Sequence, residues 1–286
     1  MRQEFIILAG GIPASVLVAA VTFDRFNRKR RGERLPVSDK LLRPAGHSLQ
    51  IHIEKLTDDY IMLILAAVLC SLASVGALGF PPPDATGRSV WLGVGATGAG
   101  VCSVMAWRKR TRIRYARLGL IGEQAMAEYL AVLASKGCRL FHDVPVDREN
   151  IDHVVVGPPG VFAIETKFWS KRPGTFNEAK HEAVFDGNTI RFPWGKTDRP
   201  LNQARRNKRW LEKFLSESTG ERVAVQPIVA LPGWWVSVTV KTDSGVWVLS
   251  GKQVAGRITS EPPKFSPKTI QQIAHQLEQK CRDVEF

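Results

Sequence analysis

Asn150-Ile151-Asp152-His153-Val154-Val155-Val156-Gly157-Pro158-Pro159-Gly160-Val161-Phe162-Ala163-Ile164-Glu165-Thr166-Lys167 is the stretch that decides how this chain folds. Two runs of β-branched and apolar residues flank Gly157-Pro158-Pro159-Gly160, the pattern of two strands joined by a tight turn. With those four residues as the turn, Val156 faces Val161, Val154 faces Ala163 and Asp152 faces Glu165. Opposed residues share a sheet face, with Cβ atoms about 4.5–5.5 Å apart. Lys167, two residues beyond Glu165, projects from that same face. Two acids and a lysine therefore converge at one end of a small sheet.

Two chemistries fit that convergence. Asp152, Glu165 and Lys167 could form a cross-strand salt bridge, since opposed charges are common on sheets. They could equally hold a hard divalent cation, because Mg²⁺ sits between one or two carboxylates, waters and a phosphate. A neighbouring lysine then orients the attacking water and neutralises charge developing on phosphorus. The acids interrupt otherwise apolar strands, where an unpaired charge is costly, and this favours the cation.

The segments Ile151–Pro158 and Gly160–Lys167 resemble the nuclease-related domain (NERD), a family of the PD-(D/E)-x-K nuclease superfamily. Gly122-Glu123 resembles the family's Gly-Glu at the start of its first helix, and Arg199-Pro200-Leu201-Asn202-Gln203-Ala204 resembles its Asn-Pro-x-x-Gln element. The likeness covers roughly residues 115–250. It departs in that Ile151 rather than Pro precedes Asp152, as is usual in the family, and in that Arg199 stands where Asn is often found before Pro200. The resemblance implies a restriction-endonuclease-like α/β fold, a small mixed sheet flanked by helices. It also implies a Mg²⁺ or Mn²⁺ ion on Asp152 and Glu165, with the Thr166 carbonyl as an extra ligand. Glu123 and Gln203 would support the cluster, and DNA rather than RNA would be the substrate.

Charge argues less strongly for nucleic acid than its total suggests. The 286 residues carry a net +13. Residues 1–107 hold 11 Lys/Arg against 8 Asp/Glu, and residues 118–286 hold 23 against 19. The ten residues 108–117 hold six Lys/Arg and no acid. The nuclease-like part is thus only mildly basic. Four scattered cysteines show no metal spacing and no disulfide framework, which fits a reducing compartment.

The N-terminal third reads as membrane-embedded. Residues 5–23, 60–80 and 90–107 are apolar runs, each long enough for a bilayer core of about 30 Å at about 1.5 Å per residue. Arg25, Arg28, Lys29, Arg30, Arg31 and Arg34 follow the first run, and Arg108, Lys109, Arg110, Arg112, Arg114 and Arg117 follow the third. Positive charge stays on the cytoplasmic side, so the N-terminus is expected outside, 24–59 as a cytoplasmic basic loop able to touch anionic lipid, and the C-terminal domain inside. Gly93-Val94-Gly95-Ala96-Thr97-Gly98 matches a dinucleotide fingerprint, yet no strand precedes it; small residues at this spacing let membrane helices approach closely.

Beyond the membrane region, Gly122–Lys136 predicts a helix with Gly137 as its stop, and Arg139–Val144 a strand. Glu123 sits in the first turn of that helix, where a carboxylate also favours the helix dipole. Pro200–Ser216 predicts a second helix with Ala204, Leu211, Phe214 and Leu215 on one face and Gln203 at its edge. Arg205, Arg206 and Arg209 point away, as a solvated face rather than a phosphate track. Val223–Leu231, Trp234–Val240 and Val246–Leu249 predict strands. Trp234 and Trp235 could stack bases, though strand-end aromatics more often pack in a core. Ser266-Pro267 starts a last helix with Ile270, Ile273, Leu277 and Cys281 in a stripe. His153 alternates to the sheet side opposite Asp152, and His181 lacks a second ligand.

The chain is thus expected to be a membrane region, 1–110, carrying a cytoplasmic nuclease-related domain, 111–286. The activity expected is metal-dependent phosphodiester hydrolysis, with a catalytically inactive, membrane-tethered module that binds nucleic acid or protein as the rival.

Overall fold

The computed structural model describes residues 40–79, 85–147, 149–170, 181–239 and 245–284. They fall into two units: Glu54–Arg114, and Lys40–Ile53 together with 115–284. The apolar run at 5–23 lies outside the described residues.

Two helices run through the apolar segments, α1 (His47–Gly79) and α2 (Ala85–Ala131), and their parts within 54–114 make up the first unit. Both contain stretches long and apolar enough to cross a membrane, by length and composition. Their apolar side chains lie open, among them Ile61, Met62, Leu69, Trp91, Val94 and Trp107. Gly95 and Gly98 face Ser74 and Cys70 so closely that a Cβ at Gly95 would run into the Ser74 hydroxyl. The small-residue pattern therefore serves helix packing. Lys109 and Asp59 form an ion pair at 2.5 Å.

The sequence points to a loop over 24–59 and to a helix starting only at Gly122; residues 24–39 of that loop lie outside the described residues. The structure differs at both points. Residues 47–59 are helical, and Lys40–Ile53 group with the C-terminal unit. The basic run 108–117 is helical as well, so the third apolar segment and the first domain helix are one helix of 47 residues. Lys and Arg are good helix formers, and with no Gly or Pro between 101 and 118 nothing stops the helix there.

The second unit is built on a five-stranded mixed sheet. Its strands are β2 (Arg139–Pro145), β3 (Asn150–Gly157), β4 (Gly160–Thr166), β8 (Val225–Leu231) and β10 (Trp247–Ser250), following a two-residue β1 (Leu41–Leu42). The order is β10-β8-β4-β3-β2, antiparallel between β2, β3 and β4 and parallel from β4 to β8 to β10. β3 and β4 pair in the register read from the turn, with Gly157 opposite Gly160, Val156 opposite Val161 and Val154 opposite Ala163.

Alternation then sorts side chains between two cores. Val154, Val156, Val161 and Ala163 meet Leu211 and Leu215 of α3 (Arg199–Thr219) and Ile273 and Leu277 of α5 (Pro267–Cys281). Val155, Phe162 and Ile164 meet Met126 and Leu130 of α2 and Val254 and Ile258 of α4 (Gly251–Thr259). Ser266 caps α5 by accepting from the Thr269 N–H, and Pro200 opens α3. A second sheet, β7-β6-β5-β9, joins β5 (Glu182–Phe185), β6 (Ile190–Phe192), β7 (Gly195–Thr197) and β9 (Trp235–Val238). Trp234 is buried in its core, while Trp235 stands exposed. This is a mixed α/β domain with its sheets flanked by helices.

Candidate active site

The end of the β3–β4 hairpin opens into a cavity of about 690 Å³. Glu123, Asp143, Asp152, Glu165, Thr166, Lys167 and Gln203 all line it. All five residues expected at the site from the sequence, and Thr166, are therefore brought to one cavity.

Strand register explains the acids. His153 pairs with Ile164, so Asp152, one step on, stands opposite Glu165. On the other side, the pairs His142–His153 and Val144–Ile151 bracket Asp143 and set it opposite Asp152. Three carboxylates thus run in a row across β2, β3 and β4. Asp152 Oδ2 accepts the Thr166 N–H at 2.6 Å, which locks the two strand ends together. Lys167 Nζ donates to Glu165 Oε1 at 2.6 Å, confirming that it turns to the same side. Glu165 Oε2 accepts from Asn207 Nδ2 at 3.0 Å. The Thr166 hydroxyl is buried with no hydrogen-bond partner among the described residues.

Glu123 arrives from α2. A side chain at Gly122 would collide with Cβ of Phe168, the residue after Lys167. The bare glycine lets the helix lie against the strand exit and so carries Glu123 into the cavity. Gly122→Ala gains about 1 kcal/mol of helix propensity but forces an overpacked contact worth about 1–3 kcal/mol. We expect a net fall in melting temperature, read by differential scanning fluorimetry; an increase would mean that Phe168 yields freely.

Asp143 escaped the sequence reading. Its φ of 50° is left-handed, rare for a side chain other than Gly, Asn or Asp. Its Oδ2 accepts from Ser48 N–H at 3.1 Å, Ser48 Oγ at 2.6 Å and Arg43 Nη1 at 3.1 Å, and its Oδ1 from Asn150 Nδ2 at 3.2 Å. The carboxylate satisfies the Ser48 N–H at the start of α1, where the helix dipole favours an anion. Residues 40–53 are therefore part of the site's frame. Asn207 was also missed. It sits one turn after Gln203 on α3, and the helical spacing that puts Gln203 at the edge of the apolar face was not carried on to it.

Among the described residues, buried carboxyls outnumber cations at the cavity. Burial, then Asp152, Asp143 and Glu165, push Glu123 up to about 9. Burial, then Asp152, push Glu165 up to about 8 against the pull of Lys167. Burial pushes Asp152 up to about 6, opposed by Lys167 and the Thr166 N–H. Burial works to lower Lys167, but Glu165 and Asp152 outweigh it and hold the ammonium above its usual range. Among the described residues, Lys167 faces Glu123, Asp152 and Glu165, whose burial favours their protonated forms, with neighbouring carboxylates adding to it at Glu123 and Glu165.

The donor set fits a hard cation that brings water with it. Asp152 and Glu123 offer carboxylate oxygens to the cavity, whereas both oxygens of Glu165 are engaged by Lys167 and Asn207. Among the described residues no three His, Cys, Asp or Glu side chains form a ready cage. Two carboxylates completed by water and a phosphate are what Mg²⁺ takes.

His153 is fully buried on the other side, its Nδ1 2.8 Å from His142 Nδ1. Burial, then His142, hold it well below the usual histidine range, so it stays neutral. Arg206 pairs with Glu149 at 3.1 Å on the surface, as a solvated face requires.

Comparisons with known proteins point to a family. Residues 118–232 match the nuclease-related domain family. No curated protein matches the chain. Among solved structures, Pyrococcus furiosus SfsA in complex with Ca²⁺ is similar at 18% identity, with 44% of this chain and 52% of that chain covered and a TM-score of 0.21. The chain spans about half the length of that protein, a likeness too distant to bear on activity. Residues 118–232 of this chain are a nuclease-related domain.

Proposed function

We propose that the chain is a membrane-anchored, divalent-metal-dependent nuclease that hydrolyses phosphodiester bonds in DNA. The observation that carries this is the gathering of Glu123, Asp152 and Glu165 around Lys167 at the end of β3 and β4, beside an open cavity. Asp152 and Glu123 would hold Mg²⁺ or Mn²⁺, with Glu165 and the Thr166 carbonyl joining where the Lys167 pair loosens. The bound ion supplies Lewis-acid polarisation of the phosphate and makes water a better nucleophile.

The chain's own groups do the rest. Lys167, an ammonium at neutral pH, donates to the attacking water or a phosphate oxygen and balances charge as it builds on phosphorus. Glu165 fixes that ammonium, and Asn207 fixes Glu165. The Thr166 N–H keeps Asp152 turned toward the cavity. Gln203, half-buried on α3, can donate to a phosphate or base. The two apolar helices would anchor the domain to a bilayer, and the six Lys and Arg of 108–117 support a cytoplasmic side for it.

A second reading has one observation in its favour: both Glu165 oxygens are already paired. On that reading the domain binds nucleic acid without turnover. Purified full-length protein in lipid nanodiscs, incubated with supercoiled plasmid, separates the two. We expect nicking with Mg²⁺ or Mn²⁺ and none with EDTA. Plasmid bound but uncut under every metal condition would establish the binding module instead.

A further inference from the structure

Trp194 presents one open aromatic face to the cavity that holds the carboxylates, and we propose that this face stacks a nucleobase of an unpaired strand, making single-stranded DNA the preferred substrate. The inference rests on the phosphodiester reading of the site and deepens it.

Trp194 lies in the turn between β6 and β7, in the second sheet, and lines the same cavity as Asp152, Glu165 and Lys167. Phe192 stacks on one side of its ring, with centroids 5.1 Å apart and planes 10° from parallel. Trp234 meets it edge-on at 5.1 Å and 74°. Phe192 and Trp234 are buried, at 5% and 3% exposed, while Trp194 remains 42% exposed. Phe192 thus covers one face of the ring, while Trp194 keeps 42% of its surface open and lines the cavity. Trp169 in turn braces Phe192 edge-on at 4.7 Å. The ring is held in place before anything binds, so stacking on it loses little side-chain entropy.

A nucleobase is the flat, π-faced group attached to the phosphodiester that the cluster would cut. Every base has such a face, so stacking is tolerant of sequence. In a duplex those faces are buried against neighbouring bases, and exposing one costs a few kcal/mol. A fixed aromatic platform beside the scissile phosphate therefore discriminates by strandedness. The domain is only mildly basic, which also suits a site whose grip comes from stacking more than from phosphate charge.

The test uses full-length protein in nanodiscs with Ca²⁺ and a fluorescein-labelled single-stranded DNA of twelve nucleotides. Binding is read by anisotropy, for the oligonucleotide and for versions with one abasic position. One stacked base is worth about 1–3 kcal/mol, so Trp194→Ala should weaken binding about 5- to 150-fold. Trp194→Leu, which keeps the apolar packing on Phe192, should weaken it similarly, and Trp194→Phe should restore most of it. The abasic site should weaken the wild type and have no further effect on Trp194→Ala. With Mg²⁺, the ratio of single-strand to duplex cleavage should fall in the Ala and Leu variants.

Equal binding by wild type and Trp194→Leu, or additive effects of the abasic site and the substitution, would overturn the stacking. Failure of the wild type to bind the single strand would overturn it too. Stacking with no cleavage of any DNA would leave this inference standing and remove the hydrolase.

Discussion

Lys167→Ala will cut the cleavage rate at least about 100-fold, the scale on which a single charge-stabilising donor acts in an active site. Lys167 Nζ lies 2.6 Å from Glu165 Oε1, and Glu165 is 1% exposed. Removing one partner of a buried ion pair usually costs about 3–5 kcal/mol, because the other charge is left stranded. Here the stranded group has an escape. Glu165 is already pushed up to about 8, so at pH 7 it can keep a proton and hold its hydrogen bond to Asn207. The stability deficit of the variant will therefore be small at pH 7 and grow above pH 8, where the wild type ionises Glu165 beside Lys167 and the variant cannot. Melting curves at pH 7 and 9 read the deficit, and initial rates on plasmid read the chemistry. Lys167→Met, which keeps the packed stem, should lose the rate equally. A variant that cleaves like the wild type would take Lys167 out of the reaction.

That the site could be drawn from sequence at all reflects how local its rules are. Gly157 and Gly160 bracket a tight turn, a tight turn fixes antiparallel register, and register fixes which side chains share a face. Asp152, Glu165 and Lys167 follow from those three steps. Pro200 and Ser266-Pro267 are local start signals, and both helices begin where these stand. What escaped was long-range or conformational. Nothing near Arg43 and Ser48 announces that they clamp Asp143, about a hundred residues away in the chain. Asn207 looks like one more polar residue on an arginine-rich helix until the sheet beneath it is known. Trp194 sits in a sheet whose strands are three and four residues long, too short for periodicity to register. The basic run after the third apolar segment reads as a boundary because charge changes there, yet the backbone has no reason to break.

A divalent cation will stabilise the protein more at pH 8.5 than at pH 5.5. Glu123, Glu165 and Asp152 sit at about 9, 8 and 6, all above the ordinary carboxylate range of about 3.9–4.3. An acid whose folded value is raised prefers to be neutral in the fold. Its contribution falls as pH climbs from the unfolded value toward the folded one, and stays low beyond it. Without a cation these three groups therefore erode stability across roughly pH 4 to 9. A cation favours the charged forms and offsets that loss where they are ionised. At pH 5.5 all three are mostly protonated, and the ion must displace protons to bind.

At about 100 times its dissociation constant, a ligand adds about 2.7 kcal/mol, or a rise of about 5–10 °C for a domain of this size. We expect a shift of that order with Mg²⁺ or Mn²⁺ at pH 8.5 and little at pH 5.5. Calorimetry at pH 7 in buffers of different ionisation enthalpy should show about one to two protons released per ion. Asp152→Asn and Glu123→Gln should each shrink both the thermal shift and the proton count. Equal thermal shifts at the two pH values, with no protons released, would mean that ions bind elsewhere on the surface and not at Asp152 and Glu123.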